Sequence, residues 1–327
     1  MQQSYNYLAA TGKLHYNMTN DYMFRMVLQR DKETLINLIS SVLGIPRDEI
    51  LDVKIENTVE PGKSVDNKEF QMDILVLLND NTYINLEMQV LNYNNWPMRS
   101  LSYLCRRFDN VARGQDYSMV KPVYHIGFLD FTLFEDHPEF CGIYQIRNIK
   151  DNYQYTDKFN LYVIELNHTD LATKQDKANH IDDWARLFKA TTWEEIKMIT
   201  KDNPSMNSAA ESIYLSNADI SILEQCRARE DAIAHEAHQK KVIADLKQDL
   251  NEANKRMEEK SKQLEDADKR LEDANQIIAQ LQAKNETINT LYSWLFSIGR
   301  DDDVKRAASD PKLLDLLFEE YKESHNN

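Results

Sequence analysis

The sequence predicts an α/β fold: a sheet flanked by helices, followed by a helical region and a long coiled coil. The first half of the chain carries patterns in the order helix, strand, hairpin, helix, strand, strand, which is typical of such a sheet. Only 7 glycines occur in 327 residues, which favours long helices over a loop-rich all-β fold. Apolar residues then recur with a heptad period from Ile243 to Leu295, which indicates a coiled coil.

The N-terminal part predicts a helix and then a strand. Within residues 19–44, apolar side chains recur at helical spacing. Thr19 or Asn20 is a suitable N-cap for this helix, and Gly44 is a stop signal. Residues 50–60, ILDVKIENTVE, predict a strand.

Residues 70–90, FQMDILVLLNDNTYINLEMQV, predict a hairpin with an acid on each strand. Glu87 and Gln89 share one face of the alternating second strand, whereas Asp73 lies inside an aliphatic run, where an unpaired carboxylate is costly. A two- or four-residue turn would place Asp73 and Glu87 on opposite faces, so their convergence requires an odd-length loop or a bulge. Converging carboxylates are a typical site for a hard divalent cation. The ordinary alternative for Glu87 and Gln89 is the solvated face of a sheet.

The segment after Pro97, residues 98–114, predicts an amphipathic helix. Its apolar side is expected to carry Leu101, Leu104, Cys105, Phe108 and Val111. Its other side is expected to carry Arg99, Tyr103, Arg106, Asn110 and Arg113, which stack at steps of three and four. A solvated helix face with an ordinary ion pair is the alternative to a binding role.

Charge and composition limit the classes of function. A net charge of -15 argues against a broad nucleic-acid-binding surface, so any polyanion site is expected to be local. The three cysteines lack metal-ligand spacing, which fits a reducing compartment. Neither a signal peptide nor an apolar stretch of roughly 20 residues is evident, so we expect a cytoplasmic protein without a membrane segment.

Two further strands are expected at residues 122–134 and 158–166, the first of them central in the sheet. His125 lies in the first strand, where a lone histidine is more typical of a buried core residue than of a ligand. Asp130 is expected to cap the same strand. From about Ile181 the pattern becomes helical, most clearly over residues 182–199.

The heptad repeat defines the coiled coil by its core positions. The a-positions are Ile243, Leu250, Met257, Leu264, Leu271, Ile278, Asn285 and Tyr292. The d-positions are Leu246, Ala253, Lys260, Ala267, Ala274, Leu281, Ile288 and Leu295. The alanines favour weak or antiparallel pairing, whereas Asn285 at an a-position favours a defined parallel register. A single solvated helix, or one packed on its own domain, is the alternative.

These patterns together predict four segments, the last of which is a short C-terminal helical tail. Their expected boundaries are 1–170 for the α/β core, 171–224 for the helical extension, 225–298 for the coiled coil and 299–327 for the tail.

Several segments resemble the PD-(D/E)XK nuclease superfamily, in particular its branch of recombination-promoting nucleases and transposases. They are TNDYMFRMVL, QMDILVLLNDNTYINLEMQV, RSLSYLCRR and YHIGFLDF, within roughly residues 15–170. The resemblance implies a restriction-endonuclease-like mixed sheet. It matches Asp73 and Glu87 to the family's two strand acids, Gln89 to its third polar position and Asp21 to an acid on the first helix.

The implied chemistry is metal-dependent hydrolysis of DNA phosphodiester bonds, with Asp73 and Glu87 as ligands of Mg²⁺ or Mn²⁺. Asp21 would bind the metal directly or through water, although an acid there also suits a helix N-terminus. Gln89 replaces the superfamily's lysine, so it can orient a water molecule but cannot act as a general base or supply positive charge. That charge would come from the metal or from another lysine, with Lys63 and Lys68 as candidates.

By the same resemblance, Arg99 and Arg106 would contact DNA phosphates, with Tyr103 between them. The coiled coil would join two catalytic units as a homodimer, so that two sites could cut both strands. A permanent arginine partner on either strand acid would argue against this chemistry. The alternative is a catalytically inactive nuclease-fold scaffold that binds DNA or protein partners, and an RNA substrate is not distinguished by the sequence.

Overall fold

The protein is described by a computed structural model that covers residues 5–56, 59–60, 70–71, 73–109, 111 and 114–325. The chain divides into two compact units, Met1–Ala237 and His238–Asn327, which are described in turn. The predicted division into four segments stays a prediction.

All the described strands lie in the first unit, between the helix pair at residues 21–43 and the run of helices that begins at residue 174. The strands found in the described residues are β1 (Val53–Ile55), β2 (Val59–Glu60), β3 (Phe70–Gln71), β4 (Ile74–Leu78), β5 (Thr82–Gln89), β6 (Val123–Leu129), β7 (Cys141–Gln145) and β8 (Phe159–Glu165). The α-helices found there are α1 (Asp21–Arg30), α2 (Lys32–Leu43), α3 (Trp96–Phe108), α4 (Lys174–Ala178), α5 (Ile181–Lys189), α6 (Trp193–Asp202), α7 (Asn207–Asn217), α8 (Ile220–Ser297), α9 (Asp301–Ala307) and α10 (Pro311–His325).

Six of these strands form a mixed sheet in the order β1-β4-β5-β6-β8-β7, while β2 and β3 pair separately. Strands β5, β6 and β8 run parallel, and β1, β4 and β7 join them through antiparallel pairings. The expected mixed α/β sheet is therefore confirmed, and β6 is an interior strand as predicted. Strand β7 was not predicted.

Alternation along the strands gives the sheet two covered faces. One face, which includes Val76, Leu86 and Phe128, packs into a large core with α1, α2, α5 and α7. The other face packs against α3 in a smaller cluster. That cluster consists of Trp96, Leu104, Val123, Leu129, Leu161 and Val163. Asp73, Glu87 and Gln89 belong to this second face, since side chains alternate along a strand.

Gly127 lets α3 approach the sheet closely. It is the register partner of Glu87 on the neighbouring strand. A Cβ atom at this position would lie 2.0 Å from Cζ2 of Trp96, so the indole ring occupies the space of a side chain. The start of α3 is thereby held directly beside Glu87.

Several predicted elements are shorter than the sequence suggested. The helix predicted within residues 19–44 is two helices, because the Asp31 side chain accepts hydrogen bonds from the backbone N–H groups of Glu33 and Thr34 and so starts a second helix. Asn20 is the N-cap of the first, as expected. The helix over residues 182–199 is likewise interrupted, and Thr192 forms a capping box for α6.

The second unit contains most of α8 together with α9 and α10. Leu291 and Leu295 of α8 are buried against Ala307 and Leu317 of the two terminal helices. Leu295, predicted as a coiled-coil d-position, is therefore covered by its own chain. The tail is two helices rather than one. No helix among the described residues combines the length and apolar composition needed to cross a bilayer.

Candidate functional site

The β4–β5 hairpin places its two acids on the same side of the sheet. Leu78 pairs with Thr82 and Ile74 pairs with Leu86, so the loop between the strands is the odd-length segment 79–81. Asn79 and Asp80 adopt positive φ angles of 48° and 57°, which asparagine and aspartate tolerate better than most residues. By this register Asp73, the residue before β4, lies opposite Glu87.

Both carboxyl groups are removed from bulk water. Glu87 is only 1% exposed, and Asp73 is half-buried with its Oδ2 accepting a hydrogen bond of 2.9 Å from the Met88 backbone N–H. Burial raises the pKa of Glu87 to about 8; nearby Arg99 opposes this rise and the charge of Asp73 adds to it. Burial also raises the pKa of Asp73 to about 6, against the Met88 hydrogen bond, with the charge of Asp21 adding to the rise. At neutral pH the pair therefore holds about one proton.

Arg99 of α3 lies against Glu87. Its Nη2 atom is 2.6 Å from Glu87 Oε1, and its side chain is 34% exposed. The guanidinium carbon lies 5.4 Å from the ring centre of Tyr103, within cation–π distance. The Arg99 Nε–H is buried and has no hydrogen-bond partner among the described residues. Arg99, expected as a phosphate contact, is thus partly engaged by an acid and still has an unused donor.

The helix faces of α3 differ from the prediction. Tyr103 is buried, whereas Leu101 and Cys105, expected on the apolar side, are exposed. The face with Arg99 and Tyr103 points to the sheet because the buried acid there requires a cationic partner. Arg106 is half-buried, and the predicted contributors Asn110 and Arg113 lie outside the described residues, as do Lys63 and Lys68.

His125 is a buried, neutral residue beside the acids. Its Nδ1 atom lies 2.8 Å from the side-chain amide nitrogen of Asn85, so the amide donates and the ring proton is on Nε2. Burial, with Arg99 as a second cause, lowers the pKa of His125 to about 3. Its Nε2 atom is 3.7 Å from Glu87 Oε2, and its ring stacks on Tyr103 at 5.9 Å. This placement agrees with the expectation of a core residue.

Asp21, at the start of α1, is joined to the site by charge and to α8 by an ion pair. Nε and Nη2 of Arg229 each lie 2.6 Å from Asp21 Oδ2, whereas Asp21 Oδ1 is buried without a hydrogen-bond partner among the described residues. Its negative charge contributes to the raised pKa values of Asp73 and Glu87. Arg25, one turn further along α1, opposes the rise at Asp73.

Arg25 and Arg229 were not predicted from the sequence. Arg25 had a usable signal, since it follows Asp21 by four residues and shares its helix face. Arg229 had none, because it lies in a charged helix far along the chain.

Asp130, expected to cap β6, instead forms an ion pair of 2.8 Å with Lys189. Gln89 is half-buried, and its Nε2 donates to the backbone oxygen of Leu91 at 3.0 Å.

Buried polar atoms without a hydrogen bond concentrate around this site. Among the described residues, all such side-chain atoms except Glu165 Oε2 and Ser216 Oγ belong to α1, α3, β5 or β6. They are Asp21 Oδ1, Arg25 Nε, Asn85 Oδ1, both carboxylate oxygens of Glu87, Trp96 Nε1, Arg99 Nε, Arg107 Nε and His125 Nε2. Unsatisfied buried polar atoms are rare in folded proteins, and a cluster of them is typical of a functional site.

The donor set is suited to a metal that completes its shell from outside the protein. No three or more histidine, cysteine, aspartate or glutamate side chains of the described residues are arranged to hold a metal ion by themselves. Mg²⁺ commonly takes only one or two carboxylates and fills its other positions with water and substrate phosphate. Asp73 and Glu87 Oε2, which has no hydrogen-bond partner among the described residues, fit that requirement.

Comparison with known proteins agrees with this geometry. The family model for the PD-(D/E)XK nuclease family transposase matches residues 18–242, more than half of the chain. The chain belongs to this family. Nucleases of the PD-(D/E)XK family generally use divalent metal ions, typically Mg²⁺. The match extends past the expected limit near residue 170 and includes Arg229. No curated protein and no solved structure matches the chain.

Proposed function

We propose that this PD-(D/E)XK family chain is a metal-dependent DNA endonuclease that hydrolyses phosphodiester bonds. The observation that carries the proposal is the odd-length hairpin loop, which sets Asp73 opposite Glu87 on a covered face of the sheet. Burial raises both pKa values, and neighbouring negative charge adds to the rise: Asp73 and Asp21 act on Glu87, and Asp21 acts on Asp73. A divalent cation at the two carboxylates would offset both effects at once.

Asp73 and Glu87 would hold the metal, which would act as a Lewis acid on the scissile phosphate and lower the pKa of a bound water. Gln89 is the last residue of β5 and lies on the same face as Glu87, so its amide can orient that water by hydrogen bonding. Asp21 is fixed by Arg229 and contributes negative potential, with one oxygen still unsatisfied. We expect it to act on the metal through water.

Three residues of α3 form the proposed phosphate contact. Arg99 is partly exposed, so an incoming phosphate can reach its guanidinium from the solvent side. Tyr103 supports the guanidinium by packing beneath it. Arg106 follows one turn later on the same helix.

Plasmid nicking tests the proposal, with two matched Asp→Asn variants in the same hairpin. Asp73→Asn should abolish nicking in the presence of Mg²⁺ or Mn²⁺, because a neutral amide cannot replace the carboxylate ligand. Asp80→Asn should nick like the parent, since Asp80 is an exposed turn residue that pairs with Lys54. Equal activity in the Asp73→Asn variant, with thermal unfolding showing that it is folded, would refute the assignment.

The second candidate is a nuclease-fold scaffold that binds DNA or protein without cutting. The ion pair between Arg99 and Glu87 favours it, because a permanent cation on the acid would exclude a metal. In that case the parent would bind DNA and show no cleavage with either metal, and adding Mn²⁺ would leave its thermal stability unchanged.

We also propose that α8 joins two copies as a homodimer, because its large core heptad side chains from Ile243 to Leu281 are exposed on the single chain. We propose that such an enzyme acts in recombination, mobile elements or defence against foreign DNA, as the family resemblance implies. Sedimentation equilibrium tests the dimer independently of the chemistry.

A further inference from the structure

The second unit leaves a long apolar stripe of α8 uncovered. The stripe is made of heptad positions whose exposure runs from 51% at Ile278 to 71% at Met257. Its fully exposed large members are Ile243, Leu246, Leu250, Met257, Leu264, Leu271, Ile278 and Leu281. The stripe ends before Leu291, which the chain's own terminal helices bury. Its length therefore has a defined limit at residues 243–288.

We infer that this stripe binds the same stripe of a second copy in antiparallel orientation, centred between Glu265 and Asp266. The inference rests on the proposed homodimer and goes beyond it by fixing direction and register. It is independent of the nuclease reaction.

Side-chain size favours the antiparallel direction. The a-positions are large, whereas three d-positions are Ala253, Ala267 and Ala274. A parallel pair stacks like on like, which gives three alanine–alanine layers with little apolar contact and sets Lys260 against Lys260 of the partner subunit. An antiparallel pair alternates a with d, so every alanine faces a large side chain and Lys260 faces an apolar one. Core layers are then filled evenly along the stripe.

The register follows from covering the whole stripe. With the centre between residues 265 and 266, each core side chain of 243–288 meets a core position of the other copy. The layers are Ile243 with Ile288, Leu246 with Asn285, Leu250 with Leu281, Ala253 with Ile278, Met257 with Ala274, Lys260 with Leu271, and Leu264 with Ala267. Burial of a large apolar side chain stabilises the dimer more than an exposed ion pair does, so the most complete overlap is favoured.

Charges at the flanking positions disfavour the neighbouring registers. In the chosen register Asp249 faces Lys284, and no like charges meet at the e and g positions of 243–288. A shift of one heptad in one direction sets Arg256 against Arg270. The opposite shift sets Arg256 against Lys284 of the other copy, and it sets the Asp268 residues of the two copies against each other. In a parallel pair, no g-position faces an opposite charge at the following e-position within this stripe.

Disulfide trapping between singly substituted chains tests both direction and register. Cys105, which is exposed, is replaced by serine in every variant, and this parent serves as the uncross-linked control. Leu250→Cys and Leu281→Cys are oxidised separately and as a mixture. A disulfide-linked dimer is expected only in the mixture, since residue 250 of one copy faces residue 281 of the other. A mixture of Leu250→Cys with Ala267→Cys should stay uncross-linked.

Each alternative has its own result. Cross-linking of Leu250→Cys by itself would show parallel pairing and overturn the inference. Cross-linking in the mixture with Ala267→Cys would show an antiparallel register centred seven residues earlier and overturn the register. A parent that sediments as a monomer at tens of micromolar would overturn the pairing altogether, while plasmid nicking would still report on the nuclease proposal.

Discussion

Metal binding at Asp73 and Glu87 should strengthen steeply as pH rises, and Glu87→Gln should remove most of that dependence. A metal can bind a carboxylate only after its proton has left. Burial raises the pKa of Glu87 to about 8 and that of Asp73 to about 6, so protons compete with the metal throughout the neutral range. In the Glu87→Gln variant, the amide at residue 87 has no carboxyl proton to lose and is neutral at every pH.

The magnitude follows from the number of protons displaced. Between pH 6 and pH 8 one proton leaves on metal binding, so affinity should rise about tenfold per pH unit, or about 2.7 kcal/mol over the interval. Below pH 6 both carboxyls are protonated and the rise should approach about a hundredfold per unit. Above pH 8 the dependence should disappear. The same raised pKa values make the metal-free protein less stable as pH rises from 4.5 towards 8, because the unfolded chain releases these protons first.

Mn²⁺ titration followed by electron paramagnetic resonance at pH 6, 7 and 8 measures the affinities directly. Glu33→Gln is the matched control, since Glu33 is an exposed acid paired with Arg47, and it should follow the parent at each pH. A parent affinity that does not change between pH 6 and pH 8 would refute the reasoning. So would a Glu87→Gln variant that binds Mn²⁺ as tightly as the parent at pH 8.

Two further predictions concern stability. Arg99→Ala should lower the free energy of unfolding in urea by about 3–5 kcal/mol at pH 9, where buried Glu87 must either stay ionised without a partner or take up a proton, and by much less at pH 6, where Glu87 is protonated already. The exposed Arg47→Ala should cost about 0–1 kcal/mol at both, and equal costs of Arg99→Ala at the two pH values would contradict the pairing. Gly127→Ala should lower the free energy of unfolding by about 1–3 kcal/mol and alter tryptophan fluorescence, because its Cβ would meet the indole of α3 at 2.0 Å. Gly142→Ala is the comparison, since its closest contact is a flexible carboxylate at 2.4 Å, and a cost as large as that of Gly127→Ala would argue against the close packing of α3.

The sequence was sufficient for the hairpin but not for its register. The aliphatic run, the polar turn and the alternating strand predicted β4 and β5, and the two acids required an odd loop if they were to converge. The segment NDNT contains no glycine to specify a turn type, so both parities remained open. The structure has three loop residues, two of them with positive φ, and this single feature decides the relation between Asp73 and Glu87.

The helix faces and the long-range contacts could not be read from the sequence. Counting apolar residues assigned Leu101 and Cys105 to the buried side of α3, whereas a buried acid attracts Arg99 and the ring of Tyr103 inward instead. Periodicity measures only the hydrophobic term, which a buried charge overrides locally. The Arg229–Asp21 ion pair joins residues 208 positions apart and leaves no local trace.

The competing functional hypotheses reduce to the state of one carboxylate. A buried Glu87 has three ways to lower its free energy: it can keep its proton below pH 8, pair with Arg99, or bind a metal. Protonation and arginine pairing are both available to the chain without a ligand. A nuclease requires the metal to displace both the proton and Arg99 from Glu87. A scaffold requires no change in either. Because a third of the Arg99 side chain lies in solvent, its guanidinium can move away from Glu87 more easily than a fully buried partner could. That freedom favours the nuclease, and it makes the pH dependence of metal affinity the measurement on which the choice depends.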